Sequence, residues 1–255
     1  RATEDSRQHG TRSAGGLQSC MPPCAVIAGA SSGIGHATAL HLLAAGWDVA
    51  VLARRPAPLD ALARRAPGRV LALPADLTDE ALVVGAARAI AAWRPALQAL
   101  VTAAGDFLVR PIRETTTAEF ERLWRVNVLS KFLLVRELLP ALTPPGDAPP
   151  SAIVHVASLA VHQDFADESA YGSSMHAVVG MGRSQDVEFK ARRVRVSVIS
   201  PGLVRTELTE RSNFPPALLA QALPADAMAR SIATLIETTR AGGYIPEMLH
   251  VPGNL

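Results

Sequence analysis

The sequence predicts an α/β fold: a parallel sheet of seven strands with helices on both faces. Two observations lead there. From Cys24 onward, short β-branched apolar runs alternate with longer segments of helical period, the order that β-α units produce. A glycine-rich turn then joins the first run to the first helical segment. At 255 residues, 49% hydrophobic and 19% charged, the chain suits one such unit, and residues 24–255 read as a single domain.

Residues 1–23 are rich in Arg, Ser, Gly, Gln and His, lack an apolar period, and place Met21 just before the first strand, so they read as a tag remnant or a disordered leader. An organelle transit peptide would share the Arg and Ser, but Glu4 and Asp5 count against it. Strands are expected at 25–28, 48–53, 70–74, 99–103, 152–157 and 194–200, and the last apolar run, 244–251, makes the seventh. Helices are expected at 33–45, 59–65, 79–93, 117–142, 169–191 and 225–239. Thr115 to Thr117 ahead of an acidic first turn, and Pro224 followed by Asp226, mark the starts of two of them. Residues 143–150 (TPPGDAPP) form a Pro/Gly break and not a domain linker, because the alternation resumes at once beyond it.

Composition excludes several function classes. A net charge of +2, with arginines dispersed among acidic residues, gives no basic stripe for tracking phosphates, so no nucleic-acid partner is expected. Cys20 and Cys24 are the only cysteines and make no paired C-x-x-C array; no metal site is expected, and the setting reads as reduced and cytoplasmic. Charged residues interrupt every strongly hydrophobic segment before the roughly 20 residues of a membrane span, so no membrane partner is expected either.

The turn runs Gly29-Ala-Ser31-Ser32-Gly33-Ile34-Gly35. Glycines at these points allow a tight turn, the approach of a pyrophosphate to the helix N-terminus, and close packing of helix on strand. Asp48 lies at about the distance where a ribose-binding acid is expected, but it opens the second strand, whereas ligands of such sheets sit beyond strand C-termini. At that end stand Arg54 and Arg55, two guanidiniums suited to a 2′-phosphate, which favours NADP(H) over NAD(H); the alternative is a solvated surface loop. Asp76 and Leu77, after the third strand, are placed to accept from an adenine amino group, or to cap the helix at 79–93.

With these pieces and Thr102-Ala103-Ala104-Gly105, Asn127, Ser158, Tyr171 and Pro201-Gly202-Leu203-Val204-Arg205-Thr206, the chain resembles the short-chain dehydrogenase/reductase family from about residue 25 to residue 251. The resemblance implies a Rossmann-type doubly wound seven-stranded sheet, hydride transfer at the nicotinamide, and a homodimer or homotetramer in which helices 117–142 and 169–191 pair across a two-fold axis. It implies that Ser158 hydrogen-bonds the substrate oxygen, that Tyr171 passes it the proton, and that Pro201 to Thr206 hold the nicotinamide carboxamide and pyrophosphate. Carbonyl reduction needs such a pair, because arriving hydride makes an alkoxide that must find a donor and a proton source at one oxygen.

The family also has a lysine one helical turn after the tyrosine. It bonds the nicotinamide ribose and lowers the phenol's pKa from about 10 toward neutrality, a change of ~3 units or ~4 kcal/mol. Here that position is Met175, which offers neither charge nor donor. His176 is rotated ~100° around the helix and does not point the same way. The Thr-Ala-Ala-Gly turn lacks the amides of the family's Asn-Asn-Ala-Gly, although Gly105 still admits a close cofactor, and Asn127 lacks the lysine that would end its water relay.

Blander roles exist for several of these residues. Ser158 reads equally as a strand-end cap and Tyr171 as packing. His162, Asp164 and Glu168 are read as a solvated loop beside the substrate path in preference to an acid-base cluster, and His155 as a packed, hydrogen-bonded core histidine. Substrate walls are expected from residues 106–109, 159–170 and 207–223, the last stiffened by Phe214-Pro215-Pro216. Two functions stay open: an NADP(H)-dependent reductase of small ketones or aldehydes, slow because of Met175, and a dinucleotide-binding sensor or structural subunit with little turnover.

Overall fold

The computed structural model describes residues 21–212 and 214–251. The expected leader lies outside them except for Met21, Pro22 and Pro23, and so does Cys20. Seven strands form one parallel sheet: β1 (Cys24–Ala28), β2 (Asp48–Ala53), β3 (Val70–Pro74), β4 (Ala99–Thr102), β5 (Ser151–Val156), β6 (Val194–Pro201) and, last in the chain, β9 (Glu247–His250). Their order is β3-β2-β1-β4-β5-β6-β9, so the winding reverses between β1 and β4 and leaves a crevice at the carboxyl edge there. This is the Rossmann-type doubly wound sheet.

Period two divides the strand residues between two cores. Val26, Ala28, Ala50, Leu52, Leu100 and Ile153 face α3 (Glu80–Trp93), α5 (Ser130–Leu142) and the end of α6 (Ser169–Phe189). Ala25, Ile27, Val49, Val51, Val101 and Val154 face α1 (Gly33–Ala44), α2 (Pro56–Arg65) and α9 (Ala225–Arg240). Both faces are covered, which is why these strands are almost wholly apolar. Cys24 is buried in β1, its thiol pushed up to about 12 chiefly by burial, as suits an inert core thiol.

Helix starts follow local chemistry. Thr116 and Glu119 form a reciprocal capping box at α4 (Thr117–Trp124), and Asp79 caps α3 by accepting from Ala81 and Leu82 N–H groups. Helix α2 begins at Pro56 and not at residue 59, since proline suits the first helical turn.

Three segments depart from expectation. The single helix at 117–142 is interrupted: α4 gives way to a π-helical stretch, Arg125–Leu129, before α5 resumes. Its wider turn contains Asn127, which is fully buried. The 207–223 loop carries two short helices, α7 (Glu207–Glu210) and α8 (Pro216–Ala220), and is clipped at its base by a two-strand pair, β7 (Val204–Arg205) with β8 (Leu223–Pro224). The final strand is shorter than expected. Among the described residues no helix is long and apolar enough to cross a membrane.

Candidate functional site

The glycine turn is pressed against its surroundings so tightly that side chains would not fit. Gly29 has φ +85° and a Cβ there would lie 2.5 Å from Ala104 N; a Cβ on Gly35 would lie 2.4 Å from Gly29 O. Gly33 has φ +55°, and a Cβ there would lie 2.9 Å from Thr206 Cγ2. Between these walls opens a cleft of about 780 Å³, a volume in the range of small-molecule and cofactor sites. Ser31, Ser32, Gly33 and Ile34 bring the N-terminus of α1 to it, and Ser32 makes no side-chain cap bond, so the first-turn N–H groups of α1 are left for an anion. This cradle and its donors fit a dinucleotide.

The other expected cofactor residues divide. Gly29, Arg54, Arg55, Asp76, Leu77, Ala104, Gly105 and Thr206 line the cleft. Gly35 and Tyr171 lie outside its lining, and so do Pro201, Gly202 and Val204: Pro201 ends β6, Gly202 donates its N–H to His250 O at 2.8 Å, and Val204 is buried in β7. These last three anchor the segment that delivers Thr206. Asp76 Oδ1 accepts from Thr78 N and Oγ1 at 2.9 and 2.8 Å; the Thr78 N–H above all, with help from its hydroxyl and the Arg54 charge, holds that carboxyl below the usual range. Asp48 lies at the opposite edge, buried and paired with Arg69 and Arg94 at 3.3 and 2.8 Å.

Ser158 follows β5 and Tyr171 stands in the first turn of α6, and the Ser158 hydroxyl is near enough to the phenol to favour its ionised form. Ser158 Oγ also accepts from Ala160 N at 3.2 Å, so it carries the bland capping role as well. Burial pushes the Tyr171 phenol up to about 12; the nearby Ser158 hydroxyl opposes this, and the Glu168 carboxylate adds to it. Glu168 itself is pushed up to about 7 by burial. Phe107 meets Tyr171 edge to face at 4.7 Å, and Phe214 stacks on Phe107 at 5.5 Å, so the walls expected from 106–109 and 207–223 touch over the tyrosine.

Comparison with known proteins agrees with this geometry. Residues 23–215 match the family model for short chain dehydrogenases. An uncharacterized oxidoreductase of Mycobacterium tuberculosis is 36% identical over 185 residues, covering 72% of this chain and 70% of its own. The chain belongs to the short-chain dehydrogenase family. The 2-(R)-hydroxypropyl-CoM dehydrogenase of Xanthobacter autotrophicus is 32% identical over 210 residues, 80% of this chain and 83% of that protein. Among solved structures, a short-chain type dehydrogenase/reductase from Mycobacterium marinum superposes with a TM-score of 0.82 at 27% identity, covering 91% of this chain and 94% of that one. As a member of the family the protein is an oxidoreductase that takes a nicotinamide dinucleotide.

In this short-chain dehydrogenase, position 175 lies on an apolar face of the tyrosine helix. Met175 is buried in an apolar cluster with Ala157, Val178, Val179 and Val198. Asn127 uses its whole amide: Oδ1 accepts from Asp106 N at 2.7 Å, while Nδ2 donates to Asp106 O and to Ser174 Oγ, both at 3.0 Å. Ser174 Oγ in turn donates to Tyr171 O at 2.7 Å. Asn127 therefore clamps the loop after β4 to the tyrosine helix. His176 Nδ1 is engaged by Gly172 O at 2.9 Å on another face of α6.

One residue of the site escaped the sequence. Lys131, one turn beyond Asn127, is 1% exposed, and its Nζ donates to Thr102 O and Ala104 O at 2.9 and 2.8 Å. It braces from beneath the turn whose upper side lines the cleft. Beside it, Thr102 and His155 are register partners on β4 and β5; Thr102 Oγ1 bonds His155 Nδ1 at 2.8 Å and His155 Nε2 bonds Gln185 Oε1 at 2.8 Å. Burial, followed by the Lys131 charge, holds His155 down to about 4 against the Gln185 bond. The only sequence signal for Lys131 is a lysine on the apolar face of a helix.

Burial pushes Lys131 down to about 7. Its folded value lies below its unfolded value, so between the two the unfolded chain binds the extra proton and stability rises with pH. The unfolding free energy of the wild type should therefore gain on that of Lys131→Met from pH 7 to pH 9, by up to about 1.4 kcal/mol per pH unit. Denaturant melts of both proteins across that range measure the difference, and parallel curves would show an amine that does not titrate there.

Proposed function

We propose that this protein is an NADP(H)-dependent reductase that interconverts a small ketone or aldehyde with its alcohol. The observation that carries the reading is that Ser158, after β5, and Tyr171, in the first turn of α6, come together at the carboxyl edge of the sheet that also bears the glycine cradle. A bound dihydronicotinamide would supply hydride to the carbonyl carbon. Ser158 Oγ is placed to donate a hydrogen bond to the carbonyl oxygen, and the Tyr171 phenol to pass it a proton as negative charge develops, the resulting phenolate being reprotonated from solvent. Phe107 and Phe214 exclude water above the phenol. Arg54 and Arg55, at the end of β2, support the 2′-phosphorylated coenzyme. Exposed Phe120, Phe132 and Val187 on α4, α5 and α6 support an assembly of identical chains that covers these helices.

A second reading, a dinucleotide-binding protein with little turnover, is favoured by one observation: the phenol stands at about 12 and Met175 gives it no neighbouring ammonium. Rapid mixing of the protein with NADPH and a panel of small aliphatic and aryl ketones and aldehydes separates the two. Loss of NADPH absorbance with any of them is the expected result. Saturable NADPH binding with no oxidation across the panel would establish the second reading instead.

A further inference from the structure

The corner of the cleft that holds the arginines already contains a carboxylate of the chain itself. Arg55 Nη1 donates to Glu207 Oε2 at 2.7 Å, and the rest of its guanidinium is spent on Ser31: Nη2 and Nε reach Ser31 Oγ at 3.2 and 3.4 Å, and Nη2 reaches Ser31 O at 3.3 Å. Glu207 opens α7 and takes a second guanidinium, Arg211, at 3.3 Å. All four side chains line the cleft. The Arg55 hydrogen bond, first, and the Arg55 and Arg211 charges hold the Glu207 carboxyl below the usual range, so it is ionised at neutral pH.

We infer that Glu207 sets the coenzyme preference by occupying on Arg55 the position that a 2′-phosphate would claim. This rests on the reading of Arg55 as a 2′-phosphate ligand. Two anions cannot share one guanidinium edge at close range without repulsion, so NADP(H) must displace Glu207, whereas NAD(H), with a 2′-hydroxyl, leaves the ion pair standing or offers the carboxylate a donor. The exchange is permitted because the pair is cheap to break: Arg55 and Glu207 are 44% and 42% exposed, and ion pairs of that exposure contribute little. A dianionic phosphate is the stronger partner for a guanidinium. Glu207 thus narrows a preference for NADP(H) that Arg54, Arg55 and Ser31 would otherwise make wider.

The test is equilibrium titration of the full chain and of Glu207→Gln and Arg55→Gln with NADPH and NADH, and with 2′-AMP and 5′-AMP as probes of the adenosine corner alone. Glu207→Gln should tighten NADPH and 2′-AMP by about three- to fivefold and change NADH and 5′-AMP by less than about twofold, and Arg55→Gln should weaken only the 2′-phosphorylated ligands. Equal changes for phosphorylated and unphosphorylated ligands, or none for either, would overturn the inference while leaving the dinucleotide site intact. Failure of the wild type to bind either dinucleotide would overturn the parent reading, and this one with it.

Discussion

Tyr171→Phe is expected to lower turnover in both directions by on the order of 10²- to 10⁴-fold while leaving NADPH affinity within about twofold, the size of effect seen when a positioned proton donor is removed. The ring is retained, so its edge-to-face contact with Phe107 and the packing of α6 on β6 persist. Only the hydroxyl is lost, and Ser158 Oγ still accepts from Ala160 N. Stability should change by no more than about 1 kcal/mol, the net worth of one neutral hydrogen bond. Single-turnover rates beside coenzyme titrations make the comparison; a fall in affinity equal to the fall in rate would mean that the tyrosine binds coenzyme and moves no proton.

Met175→Lys is expected to speed the protein and to weaken its fold. Lowering the phenol by ~3 units makes Tyr171 a stronger acid for reduction and gives ~10³ times more phenolate for oxidation; with Brønsted sensitivity near one half, the net gain is about 30-fold in each direction at neutral pH. The cost falls on the apoprotein. Ala157, Val178, Val179 and Val198 pack with the residue at position 175, and burying an ammonium among apolar groups depresses its own pKa and lowers stability by several kcal/mol. Coenzyme ribose hydroxyls would satisfy that ammonium, so NADPH should raise the melting temperature of Met175→Lys by more than it raises that of the wild type. Equal coenzyme-induced shifts, with no change in rate, would show that position 175 does not face the coenzyme.

Most of the fold was legible because it is repetitive. Strands buried on both faces read as uninterrupted apolar runs, and the glycine turn declares itself by spacing, since Gly29 and Gly35 stand where a single methyl would collide with backbone. Ser158 and Tyr171 were legible as a pair, one ending a strand and the other opening a helix. What was hidden depended on contacts remote in sequence or too short to have a period. The apolar pattern runs unbroken through Arg125–Leu129, so nothing marks the π turn that brings Asn127 inward. A lysine in a helix ordinarily faces water, and only the carbonyls of Thr102 and Ala104 explain why Lys131 does not. Arg55 and Glu207 are 152 positions apart, and no local rule pairs them. Helices of four and five residues, α7 and α8, show too few positions for a helical repeat to appear.

The proposed chemistry requires Tyr171 to work without an ammonium beside it. The pH dependence of alcohol oxidation by the wild type, with NADP⁺ saturating, tests that most directly. With Tyr171 near 12, phenolate is scarce at neutral pH, and the rate should climb about tenfold per pH unit with no plateau below about pH 10. A plateau at or below neutrality would contradict the account, because it would mean that some other group acidifies the phenol or replaces it as the base.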